Sequence, residues 1–189
     1  MTNLAQALMP VVRALQELCI PYYVGGSVAS SAHGTPRASL DVDIVVAMEP
    51  DHVDGLLTAL GDRYYATREG MLRAIAARRS FQAIHLATMF KVDVFVSKGR
   101  PYDEAAFGRA QSELFEEGLP PVLVATKEDT VLAKLEWFQK GHEVSERQWS
   151  DVLGVIGVHR DLDLDYLWQW APDLGVASLL ERALAEGRR

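Results

Sequence analysis

Asp41 and Asp43 flank Val42. On an extended strand, residues at i and i+2 leave the same face, so these two carboxylates can share a divalent cation. A Gly25-Gly26-Ser27 turn precedes them, with thirteen residues between Ser27 and Asp41. A glycine-serine turn that opens a helix offers backbone amides to an anion. A third acid, Asp93, sits inside Lys91-Val92-Asp93-Val94-Phe95-Val96. A carboxylate in so apolar a strand is costly unless it is paired or bound to metal. The chemistry within reach is metal-assisted handling of phosphate. The bland alternative is that Asp41 and Asp43 cap a turn or pair with Arg37. Arg37 and Ser39 lead into the strand; either could contact phosphate, or Arg37 could neutralise the acids.

Other side chains offer less. His33 lies beside Gly34 and suits either a cleft wall or a turn, and His52, His85, His142 and His159 lack metal-ligand spacing. Ser30-Ser31 has no neighbouring base that would mark a nucleophile. Trp137, Trp149, Trp168 and Trp170 read as packing anchors. Arg68, Arg73, Arg78 and Arg79 fall within twelve residues and form a local basic patch, read as a solvated loop and strand face.

The elements that position these groups follow from periodicity. Leu4, Leu8, Val11, Val12, Leu15 and Leu18 recur at helical spacing after Thr2 or Asn3 as N-cap, and the helix ends before Pro21. Residues 22–24 form a short strand running into the glycines, and Ser27 opens a helix that Gly34 and Pro36 break. Residues 40–47 form a strand with Val42, Ile44 and Val46 inward. Residues 50–60 form a crossover helix capped by Gly61. Two or three short strands span 64–96, with Lys91 at a bend, and residues 122–124 make a last short strand. From Thr126 the period turns helical: a capping-box-like Thr126-Lys127-Glu128-Asp129 starts a helix with Val131, Leu135 and Phe138 on one stripe. A second helix runs over 145–158, and a terminal helical pair over 163–186 hinges at Pro172. This predicts an α/β (α+β) part over 1–125, a mixed central sheet with flanking helices, followed by a C-terminal helical part over 126–189.

Bulk composition narrows the classes. The chain has 189 residues, 49% hydrophobic and 24% charged, enough for a real core. One cysteine, Cys19, excludes an internal disulfide framework and suits a reducing cytoplasm. No apolar run approaches the ~20 residues that span a bilayer, so no membrane partner is expected and the predicted location is cytoplasmic. The net charge of −7 disfavours a general nucleic-acid coat.

The order Gly26-Ser27, thirteen residues, Asp41-Val42-Asp43, then the strand acid Asp93, resembles the DNA polymerase β nucleotidyltransferase superfamily. Its motif is a hydrophobic residue, Gly-Gly/Ser, a short gap, Asp-hydrophobic-Asp/Glu, and a later hydrophobic-acid-hydrophobic strand. The resemblance implies the nucleotidyltransferase fold. It makes Asp41, Asp43 and Asp93 ligands of Mg²⁺ (or Mn²⁺), with Asp93 assisting deprotonation of the attacking hydroxyl. Gly25, Gly26 and Ser27 would meet the phosphates of a nucleoside triphosphate (NTP), ATP among them.

Within that superfamily, Gly-Gly-Ser…Pro-Arg-Ala-Ser-Leu-Asp-Val-Asp resembles the AbiEii-type branch of abortive-infection and toxin–antitoxin systems. Thr126-Lys127-Glu128-Asp129…Lys134-Leu135 resembles its helical lysine motif, and Arg147-Gln148-Trp149-Ser150-Asp151 its Arg-x-x-x-Asp motif. Those motifs would place Lys134 and Asp151 in the active site. Spacing alone also allows Lys134 to pair with Glu128 or Glu136, and Asp151 with Arg147 at i, i+4. The implied activity moves a nucleoside monophosphate (NMP) from an NTP to an RNA or tRNA end, a protein or a small molecule. It is toxin-like, with an antitoxin protein as a partner. The alternatives are an antibiotic-modifying nucleotidyltransferase and a non-catalytic nucleotide- or partner-binding module of the same fold.

Overall fold

The computed structural model describes residues 1–35, 39 and 41–188. The fold comprises two units: Met1–Val24 with Ser39–Val124, and Gly25–Ala38 with Ala125–Arg189.

In the first unit, α1 (Asn3–Glu17) starts at Thr2, whose hydroxyl accepts from the Ala5 amide at 3.2 Å. Its predicted stripe is real: Leu8, Val11, Val12 and Leu15 are buried. The chain continues through β1 (Tyr22–Val24), passes α2 (Gly26–His33) of the second unit, and returns as β2 (Asp41–Val46). Then come α3 (Val53–Leu60), β3 (Tyr64–Tyr65), α4 (Arg68–Ala77), β4 (Ser80–His85) and β5 (Phe90–Val96). The unit closes with α5 (Pro101–Arg109), β6 (Gln111–Glu113) and β7 (Val122–Val124).

The described strands form one seven-stranded mixed sheet in the order β3-β4-β5-β2-β1-β7-β6. β2 pairs parallel with β5 and β1 parallel with β7, while the other neighbours are antiparallel. The parallel β2–β5 pair needs a crossover, which the segment from α3 to β4 supplies. Val42, Ile44, Val46, Val92, Val94 and Val96 are buried on one face of this centre, and α1 packs against both strands. Burying each such side chain contributes about 1.5–3 kcal/mol, so this face fixes the register of the pair and the direction of the residues between.

Two segments differ from the sequence expectation. Residues 68–77 form a helix rather than a loop and strand face. Thr67 caps it by accepting from the Gly70 amide at 3.2 Å, and Arg78 ends it with φ of 48°. Lys91 lies within β5; the β4–β5 bend is residues 86–89, where Met89 has φ of 56°.

In the second unit, α2 packs with α6 (Lys127–Lys140) and α7 (Glu146–Val158), joined by α8 (Leu164–Trp170) and α9 (Ala177–Gly187). Thr126 caps α6 as expected, accepting from the Asp129 amide at 3.1 Å. Its hydroxyl also donates to Asp129 Oδ2 at 2.6 Å, and Tyr166 donates to Asp129 Oδ1 at 2.7 Å, which satisfies a buried carboxylate. Val131, Leu135 and Phe138 are buried, as their spacing requires. Among the described residues no helix is long and apolar enough to cross a membrane.

Candidate active site

β2 and β5 place the three acids through their pairing. Asp43 stands directly beside Asp93 in the parallel register, and Asp41 stands beside Lys91. Because side chains alternate along a strand, Asp41, Asp43, Lys91 and Asp93 share one face, opposite the buried valines. Adjacent strands lie about 4.8 Å apart, so Asp43 and Asp93 begin as side-by-side carboxylates. Two like charges about 5 Å apart repel by about 1 to 3 kcal/mol, from water-like to protein-surface screening. Asp41 is exposed, and Asp43 and Asp93 are half-buried. All three can therefore receive a ligand from solvent.

Asp41 and Asp93 each accept from a polar neighbour. Ser39 donates to Asp41 Oδ1 at 2.8 Å, and Gln82 of β4 donates to Asp93 Oδ1 at 2.7 Å. Gln82 is the antiparallel partner of Asp93, so it too lies on the acid face. Among the described residues no three His, Cys, Asp or Glu side chains converge closely enough to hold a metal ion as they stand. The donor set still fits a hard cation. It is oxygen-only and carboxylate-rich, and its members share one face of two paired strands.

The glycine turn belongs to the second unit. Gly25 is the N-cap of α2, and Gly26 has φ of 55°, a left-handed value that favours glycine. Ser27 is buried at the first turn. Ser39, which could contact phosphate, donates to Asp41. Arg37 lies outside the described residues.

Lys134 and Asp151 meet. Lys134 Nζ donates to Asp151 Oδ2 at 2.6 Å across α6 and α7, with both side chains 11% exposed. Ser30 of α2 donates to the same oxygen at 3.4 Å. This replaces the helical pairings that spacing alone allowed. Glu128 instead accepts from the Asp163 amide at 3.0 Å, and Glu136 pairs with Lys140 at 2.7 Å. His33 ends α2 with Nε2 2.7 Å from the Ala125 carbonyl oxygen.

Gln82 and Ser30 were not singled out by sequence reasoning for these contacts. Alternation in β4, with Phe81 and Ala83 buried, was the available signal for Gln82. Ser30 carried none, since its partner is 121 residues away.

No protein-family model matches the chain, and no curated protein does. Solved structures do share its fold. The antibiotic-resistance factor ANT(2″)-Ia in solution superposes with a TM-score of 0.51 at 14% identity, over 96% of this chain and 93% of that one. The same factor in complex with adenylyl-2″-tobramycin gives 0.50 at 16%, over 99% and 98%. An antigenic nucleotidyltransferase-like protein from Paracoccidioides brasiliensis gives 0.53 at 16%, over 97% and 93%. The chain thus has the nucleotidyltransferase fold, a mixed α/β sheet with flanking helices.

Proposed function

We propose that this chain is a nucleotidyltransferase that moves an NMP from an NTP to an acceptor hydroxyl. The observation that carries the reading is the side-by-side pairing of Asp43 with Asp93, with Asp41 on the same face of a nucleotidyltransferase fold. Three carboxylates on one sheet face serve no packing purpose, and their mutual repulsion is offset when a cation sits among them.

Asp41, Asp43 and Asp93 would hold Mg²⁺ or Mn²⁺, which when bound supplies positive charge to phosphate oxygens. The acceptor oxygen attacks the α-phosphorus, the new P–O bond forms as the α–β phosphoanhydride bond breaks, and pyrophosphate leaves. Asp93 takes the acceptor proton, and Gln82, bonded to its Oδ1, orients the carboxylate for that transfer. We assign phosphate contacts to the backbone of Gly25, Gly26 and Ser27 at the start of α2. Lys134 and Asp151 also belong to this proposal: Asp151 holds the lysine ammonium in one position, ready for an anionic substrate group.

The acceptor we favour is an RNA or tRNA end, in a toxin-like role that an antitoxin would restrain. This follows the AbiEii-like motif order. A second reading, modification of a cationic antibiotic, is supported by the net charge of −7 and by the fold shared with ANT(2″)-Ia.

The test is incubation with each α-labelled NTP, total RNA and cell lysate, with Mg²⁺ or with EDTA. Label should enter the RNA fraction only with metal, and Asp41→Asn/Asp43→Asn should abolish it. Label in a small soluble fraction selects the second reading. No transfer from any nucleotide removes the enzyme reading and leaves a binding module.

A further inference from the structure

The arginine cluster of residues 68–79 has an arrangement the transfer reaction has not used. Two of its members are engaged: Arg68 bonds to Asp54 at 2.7 Å and Arg78 to Glu49 at 3.1 Å. Among the described residues Arg73 has only Glu69, at 3.7 Å with both side chains at least three-quarters exposed, a pair that water screens to little effect. The Arg79 guanidinium makes no hydrogen bond or ion pair among the described residues.

Arg73 and Arg79 both line a groove of about 640 Å³ between α4 and β4, together with Tyr65, Thr67, Gly70 and Gln82. No Asp or Glu is among its walls. In a chain of net charge −7 this is a locally cationic recess. Its size lies within the range of small-ligand sites.

The groove exists because the sheet is open there. β3 covers β4 only at Tyr64–His85 and Tyr65–Ile84. The Val96 amide bonds to the Arg79 carbonyl, so in the antiparallel ladder Phe81 and Ala83 turn their main chain toward β5. The amides and carbonyls of Ser80 and Gln82 then face the groove. Tyr65 is 61% exposed on one wall, with its ring available for stacking. On the other side, Gln82 donates to Asp93 Oδ1 at 2.7 Å, so one side chain borders both the groove and the carboxylate proposed as base.

We infer that this groove is the acceptor subsite and that it takes a phosphate-bearing nucleotide unit rather than a polycation. The inference rests on the transferase reading above and specifies its substrate. Arg73 and Arg79 bind the acceptor phosphate, a match that guanidinium geometry favours. Tyr65 stacks on the base, and the Ser80 and Gln82 main chain supplies polar contacts. The acceptor hydroxyl then points past Gln82 toward Asp93. The nucleotide unit can be a free nucleotide or the end of a strand.

Fluorescence anisotropy tests this with 5′-fluorescein-labelled diadenylate and a labelled twelve-residue oligoadenylate, in EDTA without NTP. Both probes should bind, and binding should weaken with added salt. Arg73→Glu/Arg79→Glu should weaken it at least ten-fold with an unchanged thermal midpoint, and Arg73→Gln/Arg79→Gln by an intermediate factor. Asp41→Asn/Asp43→Asn should bind at least as tightly as wild type. Equal affinity for the two probes identifies a free nucleotide as the source, and tighter binding of the longer one identifies a strand end. The inference is overturned if neither probe binds, if charge reversal leaves affinity unchanged, or if labelled tobramycin binds more tightly than both. With metal and NTP absent, failure here leaves the transfer experiment standing, and failure of transfer leaves this binding intact.

Discussion

Lys134 and Asp151 form a 2.6 Å ion pair that joins two helices, with both side chains 11% exposed. Removing one partner strands a charge in a sheltered site, which costs about 3–5 kcal/mol, whereas replacing both with apolar groups costs far less. Lys134→Met and Asp151→Leu should each lower the urea midpoint clearly. The double variant should recover at least half of the summed loss. A simple sum of the two single effects would mean that the pair carries no coupling.

Asp93→Asn separates a metal site from a structural carboxylate. Asparagine keeps the oxygen that accepts from Gln82 but removes the charge beside Asp43. Without metal, the melting midpoint should stay at or above that of wild type. Wild type should shift upward with millimolar Mg²⁺ or Mn²⁺, and the variant should lose that shift. An equal metal-induced shift in the variant would rule Asp93 out as a ligand.

Gly34, the residue that ends α2, lies against the main chain of α7. A Cβ there would lie 2.9 Å from the Ser30 carbonyl oxygen, 3.1 Å from the Val155 nitrogen and 3.2 Å from the Gly154 carbon, all main-chain atoms. Backbone cannot rotate away as a side chain does. Gly34→Ala should destabilise by about 1–3 kcal/mol, the usual cost of overpacking, and chemical denaturation would read it. An unchanged midpoint would show that α2 can shift freely.

Tyr64 predicts an alkaline limit. Its hydroxyl donates to the Ala7 carbonyl at 2.7 Å, and burial, opposed slightly by Arg63, pushes the phenol up to about 12 from 10.0. The neutral form is the folded one. Its contribution is therefore whole below pH 10 and fades as pH rises toward 12, by on the order of 2 kcal/mol. Tyr64→Phe should lose about 1 kcal/mol at neutral pH and show a flatter stability curve between pH 10 and 12. Parallel curves for the two proteins would contradict this.

Much of the architecture was readable because apolar spacing encodes it. The valines of β2 and β5 and the stripes of α1 and α6 announced both elements and faces. α4 escaped because Met71, Ala74 and Ile75 are its only buried residues, a thin stripe among arginines and small residues. α5 buries only Tyr102, Asp103 and Ala106, so Pro101 at its start was its clearest mark. β6 is the polar edge strand Gln-Ser-Glu and has no apolar alternation to detect. The carboxylates were legible because i, i+2 spacing on a strand is local. Their adjacency across β2 and β5 is not local, since it depends on a crossover that only the folded chain reveals. The same holds for Lys134 with Asp151, where local spacing offered other partners.

The segment Gly25–Ala38 joins helices made about a hundred residues later. A nascent chain leaving the ribosome would present α2 with nothing to pack on until α6 and α7 emerged. A helix of eight residues does not hold itself together in water. β1 likewise waits for β7, its parallel neighbour. The first unit therefore waits for Val124, close to two thirds of the way along the chain, and the second for helices made later still, so a chain cut before Val124 would yield neither in finished form.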